Sequence, residues 1–260
     1  MDRERRGKLY VVLIILVLFI AAGAIVFTIF SVMNTNPPAT PESTVSTTDT
    51  QNQDLKLDGY KDSKAKNPIN FKSLHKRNDE IVAWISVPGT KIDYPVVQSL
   101  VADDFYLHRD INKNSSYAGS IYMEYCNSSD FTDRVTVLYG HNMINGSMFA
   151  NLHKFEDAGF FNKHKLFYVY LPDSKLTYKI VSAYVYDDRH IMNSFNFAED
   201  EIFADYLKDI QNPRSLNCNY RKLNRKLTLD DKVLTLSTCL NSGDGRYLLQ
   251  GVLVKNELTR

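Results

Sequence analysis

A thiol acts as a nucleophile through its thiolate, and at an ordinary pKa of about 8.5 only about 3% of it is in that form at pH 7. Of the three cysteines, Cys126, Cys218 and Cys239, the last stands in TLSTCLNSGDGR, residues 235–246. There it closes an apolar run and is followed by a turn-rich loop and Arg246. An imidazole and a cationic environment are what such a thiol needs for activation. Among six histidines, His141 has the matching context, at the end of the apolar run in VTVLYGHNM and beside a glycine that lets the backbone turn. A short loop between consecutive strands makes a hairpin, and antiparallel pairing returns Arg246 to the side of Cys239. Were all three to meet at one rim, the thiol could attack, the imidazole could move the proton, and the guanidinium could face the charge that attack creates.

Each residue also has a plainer role open to it. Unpaired cysteines are often packing residues, a lone histidine is often a hydrogen-bonded rim residue, and a lone arginine is often a salt-bridge partner. Cys126, in MEYCN, and Cys218, in LNCNY, keep that plainer reading, because neither ends a strong strand with a cation in register. His75, His153 and His164 fall in or beside helical, solvent-facing sequence, while His108 and His190 lie in loop-like sequence as weaker rivals to His141. No CxxC or Cys/His ligand spacing occurs, which argues against a structural zinc site.

Such residues need a frame, and the sequence supplies one that is mainly β. Eight β-branched and aromatic segments are expected as strands: 81–88, 93–98, 119–125, 134–140, 165–172, 176–187, 232–239 and 246–258. Turn signals such as PGT, PDS and NSGDG punctuate them. Short links between eight strands suit a closed barrel or a sandwich better than alternating βαβ units. Helices are expected over 71–79, capped by Asn70, over SMFANLHKF, and over AEDEIFADYLKDI, whose first turn is acidic.

Upstream, residues 9–33 run without a charge, and as a helix they would rise about 37 Å, enough to cross a bilayer of roughly 30 Å. Arg3, Arg5, Arg6 and Lys8 precede that run, and the next basic residue is Lys56. The positive-inside bias therefore puts residues 1–8 in the cytoplasm and the chain after residue 33 outside. A cleaved signal peptide is the rival reading, and the apolar run is too long for it. Residues 34–66 read as a flexible extracellular linker, its first part rich in Pro, Ser and Thr, and residues 67–260 as the folded domain. The leader carries a net charge of +2 and the whole chain +1, so the footprint of a nucleic-acid binder is missing.

TLSTC resembles the TLxTC signature of sortases, the membrane-anchored cysteine transpeptidases of Gram-positive cell envelopes. WISVPGTKIDYPVVQ, AGSIYMEYCN, LYGHNMINGSMFANL and the final strand with Arg246 match the order seen in class B sortases, over roughly residues 70–258. The resemblance implies an eight-stranded sortase-type β-barrel with peripheral helices. It implies Cys239 as nucleophile, His141 as general acid/base, and Arg246 as the oxyanion or substrate-positioning group. Ser237 and Thr238 would line the cleft floor as substrate contacts. No metal or organic cofactor is required by that chemistry. The implied partners are surface proteins bearing a C-terminal sorting signal, cleaved after threonine, and an amine of a peptidoglycan precursor or stem peptide. A pilin-polymerising sortase and a non-catalytic envelope binding domain stay open as alternatives. The loop from Cys239 to Arg246 is short and Gly-rich where class B members vary in its length.

Overall fold

A computed structural model describes residues 66–241 and 244–260. The expected anchor, the residues before it and the linker as far as residue 65 lie outside the described residues, as do Ser242 and Gly243. Among the described residues no helix is long and apolar enough to cross a membrane.

Among the described residues nine strands form: β1 (Ile81–Ser86), β2 (Asp93–Val97), β3 (Ile121–Met123), β4 (Val135–Tyr139), β5 (Leu166–Tyr170), β6 (Ser174–Tyr186), β7 (Cys218–Tyr220), β8 (Val233–Cys239) and β9 (Arg246–Leu258). Their order is β5-β1-β2-β3-β4-β8-β9-β6-β7, and β5 pairs back onto β6. That last pairing closes eight strands into a barrel, the eight expected from the sequence. Strand β6 is long enough to serve two neighbours on one edge, β5 along residues 175–179 and β7 along 182–184. β7, which the apolar pattern does not announce, is an appendage to that second half.

Burial patterns show what covers each wall. β1 and β5 alternate, as strands do when one face meets the core and the other meets water. β8 is buried at six consecutive positions. Its inward residues Leu234 and Leu236 join a core with Phe167, Tyr178 and Leu249. Its outward face, with Val233, meets α4 (Asp200–Asp209), which lays Phe203, Tyr206 and Leu207 on it. Fully burying a side chain such as Phe203 contributes about 1.5–3 kcal/mol. A buried polar bridge fixes the register of that contact: Gln250 donates to Tyr206 at 2.7 Å and to Thr235 at 3.0 Å.

Two helices differ from expectation. Helix α1 (Phe71–Arg77) is capped by Asn70, which accepts from the Ser73 amide at 3.0 Å, but stops two residues early. Asn78 turns extended because its buried amide donates to the Tyr106 hydroxyl at 2.7 Å and the Ile111 carbonyl at 2.9 Å. The SMFANLHKF segment forms a 3₁₀ helix, η1 (Ala150–Glu156), instead of an α-helix. Its fully buried residues Phe149, Leu152 and Phe155 recur every third position, the period of a 3₁₀ turn. Met148, at φ 55°, sets the entry. Two short helices, α2 (Ala158–Lys163) and α3 (Ile191–Ser194), complete the periphery.

Candidate active site

The β8–β9 hairpin places Cys239 and Arg246 opposite each other as the last pair of its ladder. Gly245 makes the turn possible: it sits at φ +100°, and a Cβ there would lie 2.7 Å from the Tyr186 carbonyl oxygen. Arg246 donates from Nη1 to Cys239 Sγ at 3.0 Å. A guanidinium is always charged, so the sulfur has a permanent cation as hydrogen-bond donor.

His141 reaches the same place from the other neighbour of β8. β4 runs parallel to β8, with Tyr139 beside Ser237. The pairing continues one residue further, through Gly140 N–H donating to the Ser237 carbonyl at 3.2 Å. Gly140 permits close packing at this bend, for a Cβ would lie 2.5 Å from Ile121 and 2.7 Å from Phe149. Beyond it, His141 Nε2 lies 2.8 Å from the Leu107 carbonyl. A carbonyl can only accept, so Nε2 carries the proton there and Nδ1 is the nitrogen left for proton exchange. The His108 ring stacks on His141 with centroids 5.5 Å apart, and exposed Tyr117 lies nearly parallel at 6.4 Å. His108, a weaker candidate from the sequence, is thus a neighbour of His141.

His141, Cys239 and Arg246 line one cleft of about 60 Å³, together with Leu107, Tyr122 and Tyr139. A larger cavity of about 500 Å³ lies elsewhere, between α4 and residues 226–229, and none of its lining residues is a cysteine, a histidine or a carboxylate. The three candidate side chains therefore share the small cleft and none lines the larger cavity. Ser237 and Thr238 line it too. The buried Thr238 hydroxyl already donates to the Gly140 carbonyl at 2.8 Å, so it fastens β8 to the His141 bend. Ser237 also borders a second hollow of about 60 Å³, which shares Tyr139 and Arg246 with the cleft and extends to His190.

Two residues of this second hollow, Tyr139 and His190, hold a polar group that the sequence does not reveal. Glu124, 2% exposed, accepts from the Tyr139 hydroxyl at 2.7 Å and pairs with His190 Nε2 at 3.0 Å. Burial pushes the Glu124 carboxyl above its ordinary value, against the opposing pull of Tyr139 and His190. Burial, reinforced by Glu124, pushes the Tyr139 and Tyr122 phenols far up, so both stay neutral, and Tyr139 remains the donor to Glu124. Asp103, Glu124 and His190 bring ligand-type atoms within 4.8 Å of one another, a set that could hold a metal ion. Glu124 Oε2, however, already has two protein partners.

His153 also differs from its expected solvent-facing place. Its side chain is 13% exposed, its ring stacks on Tyr247 at 5.0 Å, and its Nε2 lies 3.0 Å from the Cys239 carbonyl. Asn142 donates to the same carbonyl at 3.1 Å. Neither residue carries a signal for this contact in the sequence; the fold of η1 beneath β8 creates it.

The sortase domain family matches residues 85–254 of the chain. A Sortase B from Listeria monocytogenes is 36% identical over 191 residues, covering 71% of this chain and 74% of its own. The structure of Clostridium perfringens sortase B superposes with a TM-score of 0.65 at 34% identity, covering 72% of this chain and all of the other. A Staphylococcus aureus sortase B–substrate complex gives a TM-score of 0.62 at 28% identity, over 71% of this chain and 84% of that one. With Cys239, His141 and Arg246 around one cleft of a closed barrel, and with these likenesses over most of the described residues, the chain belongs to the sortase family, class B, whose members are cysteine transpeptidases.

Proposed function

We propose that the protein is a membrane-anchored transpeptidase that cleaves a C-terminal sorting signal of surface proteins after threonine and transfers them to a cell-wall amine. The observation that carries the assignment of roles is the Arg246 Nη1 to Cys239 Sγ contact of 3.0 Å in the cleft that His141 also lines. Residues 9–33, with their basic flank, support an anchor whose N-terminus is cytoplasmic and whose catalytic domain is extracellular.

In the first half-reaction the Cys239 thiolate attacks the carbonyl carbon of the threonine in the signal. Arg246 faces the oxygen as it gains charge. His141, entering as the imidazolium, gives a proton to the departing nitrogen; the C–N bond breaks and a thioester remains on Cys239. In the second half-reaction the nitrogen of a peptidoglycan precursor or stem amine attacks the thioester. His141, now neutral, takes a proton from that nitrogen, the C–S bond breaks, and Cys239 leaves as thiolate. No redox step or external cofactor enters this balance. A Staphylococcus aureus sortase B of this fold is known as a substrate complex, which supports a substrate-binding role for the domain.

The test is the full-length chain in detergent, mixed with a library of sorting-type peptides and candidate amines, with products read by mass spectrometry. The fragment of a cleaved peptide that now ends in threonine should be trapped as a thioester on Cys239 and released by the matching amine. Cys239→Ala should abolish both events, whereas Cys126→Ser and Cys218→Ser should retain them. Turnover by Cys239→Ala at the unsubstituted rate would end the assignment.

A further inference from the structure

We infer that His153 is a second histidine serving this reaction, a positioning residue that holds the backbone of Cys239 with a positively charged ring. The inference rests on Cys239 being the nucleophile. Its basis is a count of protons. His153 Nδ1 lies 2.6 Å from Glu156 Oε1, and its Nε2 lies 3.0 Å from the Cys239 carbonyl. A carboxylate and a carbonyl both accept, so each ring nitrogen must donate, and a ring with two N–H groups is an imidazolium.

The one competing partner does not change the count. Asn142 Nδ2 lies 3.2 Å from His153 Nε2 and could in principle donate to it. That amide nitrogen has two protons, and two nearer acceptors take them: Asn241 Oδ1 at 2.8 Å and the Cys239 carbonyl at 3.1 Å. Were Nε2 to accept from Asn142 instead, its lone pair would face the Cys239 carbonyl oxygen at 3.0 Å, acceptor against acceptor, an opposition that a donating Nε2 removes. The Cys239 carbonyl thus receives two donors, one neutral from Asn142 and one cationic from His153.

The groups around this ring favour the arrangement. Glu156, on its own element, supplies the anion. Tyr247, on β9, stacks against the ring at 5.0 Å, and burial keeps its phenol neutral. Cys239 on β8 offers its carbonyl, and Cys218 on β7 sits beside Tyr247. No second cation opposes His153 from these neighbours among the described residues. The nucleophile gains in two ways. The end of β8 is clamped just where ladder pairing runs out, which fixes the direction of the thiol. A second positive charge then lies one peptide group from the sulfur, opposite in origin to Arg246, and stabilises the thiolate.

A background lacking Cys126 and Cys218 lets iodoacetamide report on Cys239 alone. In that background we would measure alkylation rate against pH, kcat and KM for a sorting peptide, and thermal melting, all in the full chain in detergent. His153→Gln keeps a donor toward the carbonyl but no charge; Glu156→Gln keeps an acceptor but removes the anion that holds the second proton. Both should move the alkylation profile to higher pH, slowing alkylation at pH 7 by about threefold to tenfold, the factor expected for a shift of half a unit to one unit. The same variants should lower kcat at pH 7 with KM unchanged, and activity should return as pH is raised. Should His153→Gln lower the melting temperature, Glu156→Gln, at a half-exposed position, reads the charge effect by itself. An alkylation profile that coincides with that of the parent in both variants would overturn the inference, as would a loss confined to KM. Such a result leaves the nucleophile assignment standing, which fails only if Cys239→Ala still turns over substrate.

Discussion

Arg246 and Cys239 occupy facing positions in the last rung of the β8–β9 ladder, and the guanidinium of one donates to the sulfur of the other at 3.0 Å. The two therefore share a position through backbone pairing, and this holds whatever the loop between them does. One arm of the planar fork is engaged by the sulfur, and the remaining N–H groups can turn toward a substrate oxygen. Once sulfur attacks a carbonyl carbon, the negative charge leaves the sulfur for an oxygen bonded to that carbon, so the same guanidinium can track it with little movement.

From that geometry Arg246→Lys should cost far more than a conserved charge suggests. An ammonium supplies a point charge and cannot hold sulfur and oxygen in one plane. Removal of a single oxyanion donor typically lowers kcat about 10²–10³-fold, and a fall of that order is expected for peptide cleavage by Arg246→Lys. Melting should remain near that of the parent. Near-normal turnover would show that Arg246 does no more than neutralise the thiolate.

Gly140 offers a test from the His141 side. A methyl group there would meet Ile121 at 2.5 Å and the Phe149 ring at 2.7 Å, and both are buried. Gly140→Ala should therefore destabilise the domain by about 1–3 kcal/mol, the range for overpacking. Turnover should fall further than the loss of folded protein explains, because the same shift carries His141 away from its Leu107 contact at 2.8 Å. Chemical denaturation and specific activity per folded molecule separate the two effects. Unchanged values in both would mean that β4 and η1 part more easily than their packing implies.

The barrel is legible because its strands are long apolar runs with turn signals between them. Cys239, His141 and Arg246 are legible because each sits at the end of such a run, and a strand end beside a glycine or a turn is readable locally. What escapes is created through space. β7 has only three residues, with no apolar pattern, and exists because β6 has a free edge beyond β5. The period of three in Phe149, Leu152 and Phe155 is present in the sequence, but over so short a stretch it reads equally as one face of an α-helix. His153 reads as solvent-facing because helical position alone does not say which face meets the barrel. Glu124 and His190 are 66 positions apart, in segments with no shared motif, and meet only because the fold brings the residue after β3 against the loop after β6.

That Glu124–His190 contact yields a prediction with a defined sign. Burial raises the Glu124 carboxyl above its ordinary value of 4.5, so the folded protein holds its proton more tightly than the unfolded chain does. The stability linked to that proton is fully present below the unfolded value and is lost as pH rises through the higher, folded one. Glu124→Gln carries a neutral group of the same shape and cannot lose it. Measured against the parent, the variant should thus gain relative stability as pH rises from about 4.5 upward, once Glu124 has ionised in the parent, and show no such gain at more acidic pH. Tyr139 keeps an acceptor in the variant, so the comparison isolates the charge. His190 loses an anionic partner, and the loop carrying it should become more mobile at neutral pH, visible as faster amide exchange around residues 188–191. Denaturation midpoints of the two proteins that run parallel across this pH range would show that His190 and Tyr139 fully offset the cost of burying the carboxylate.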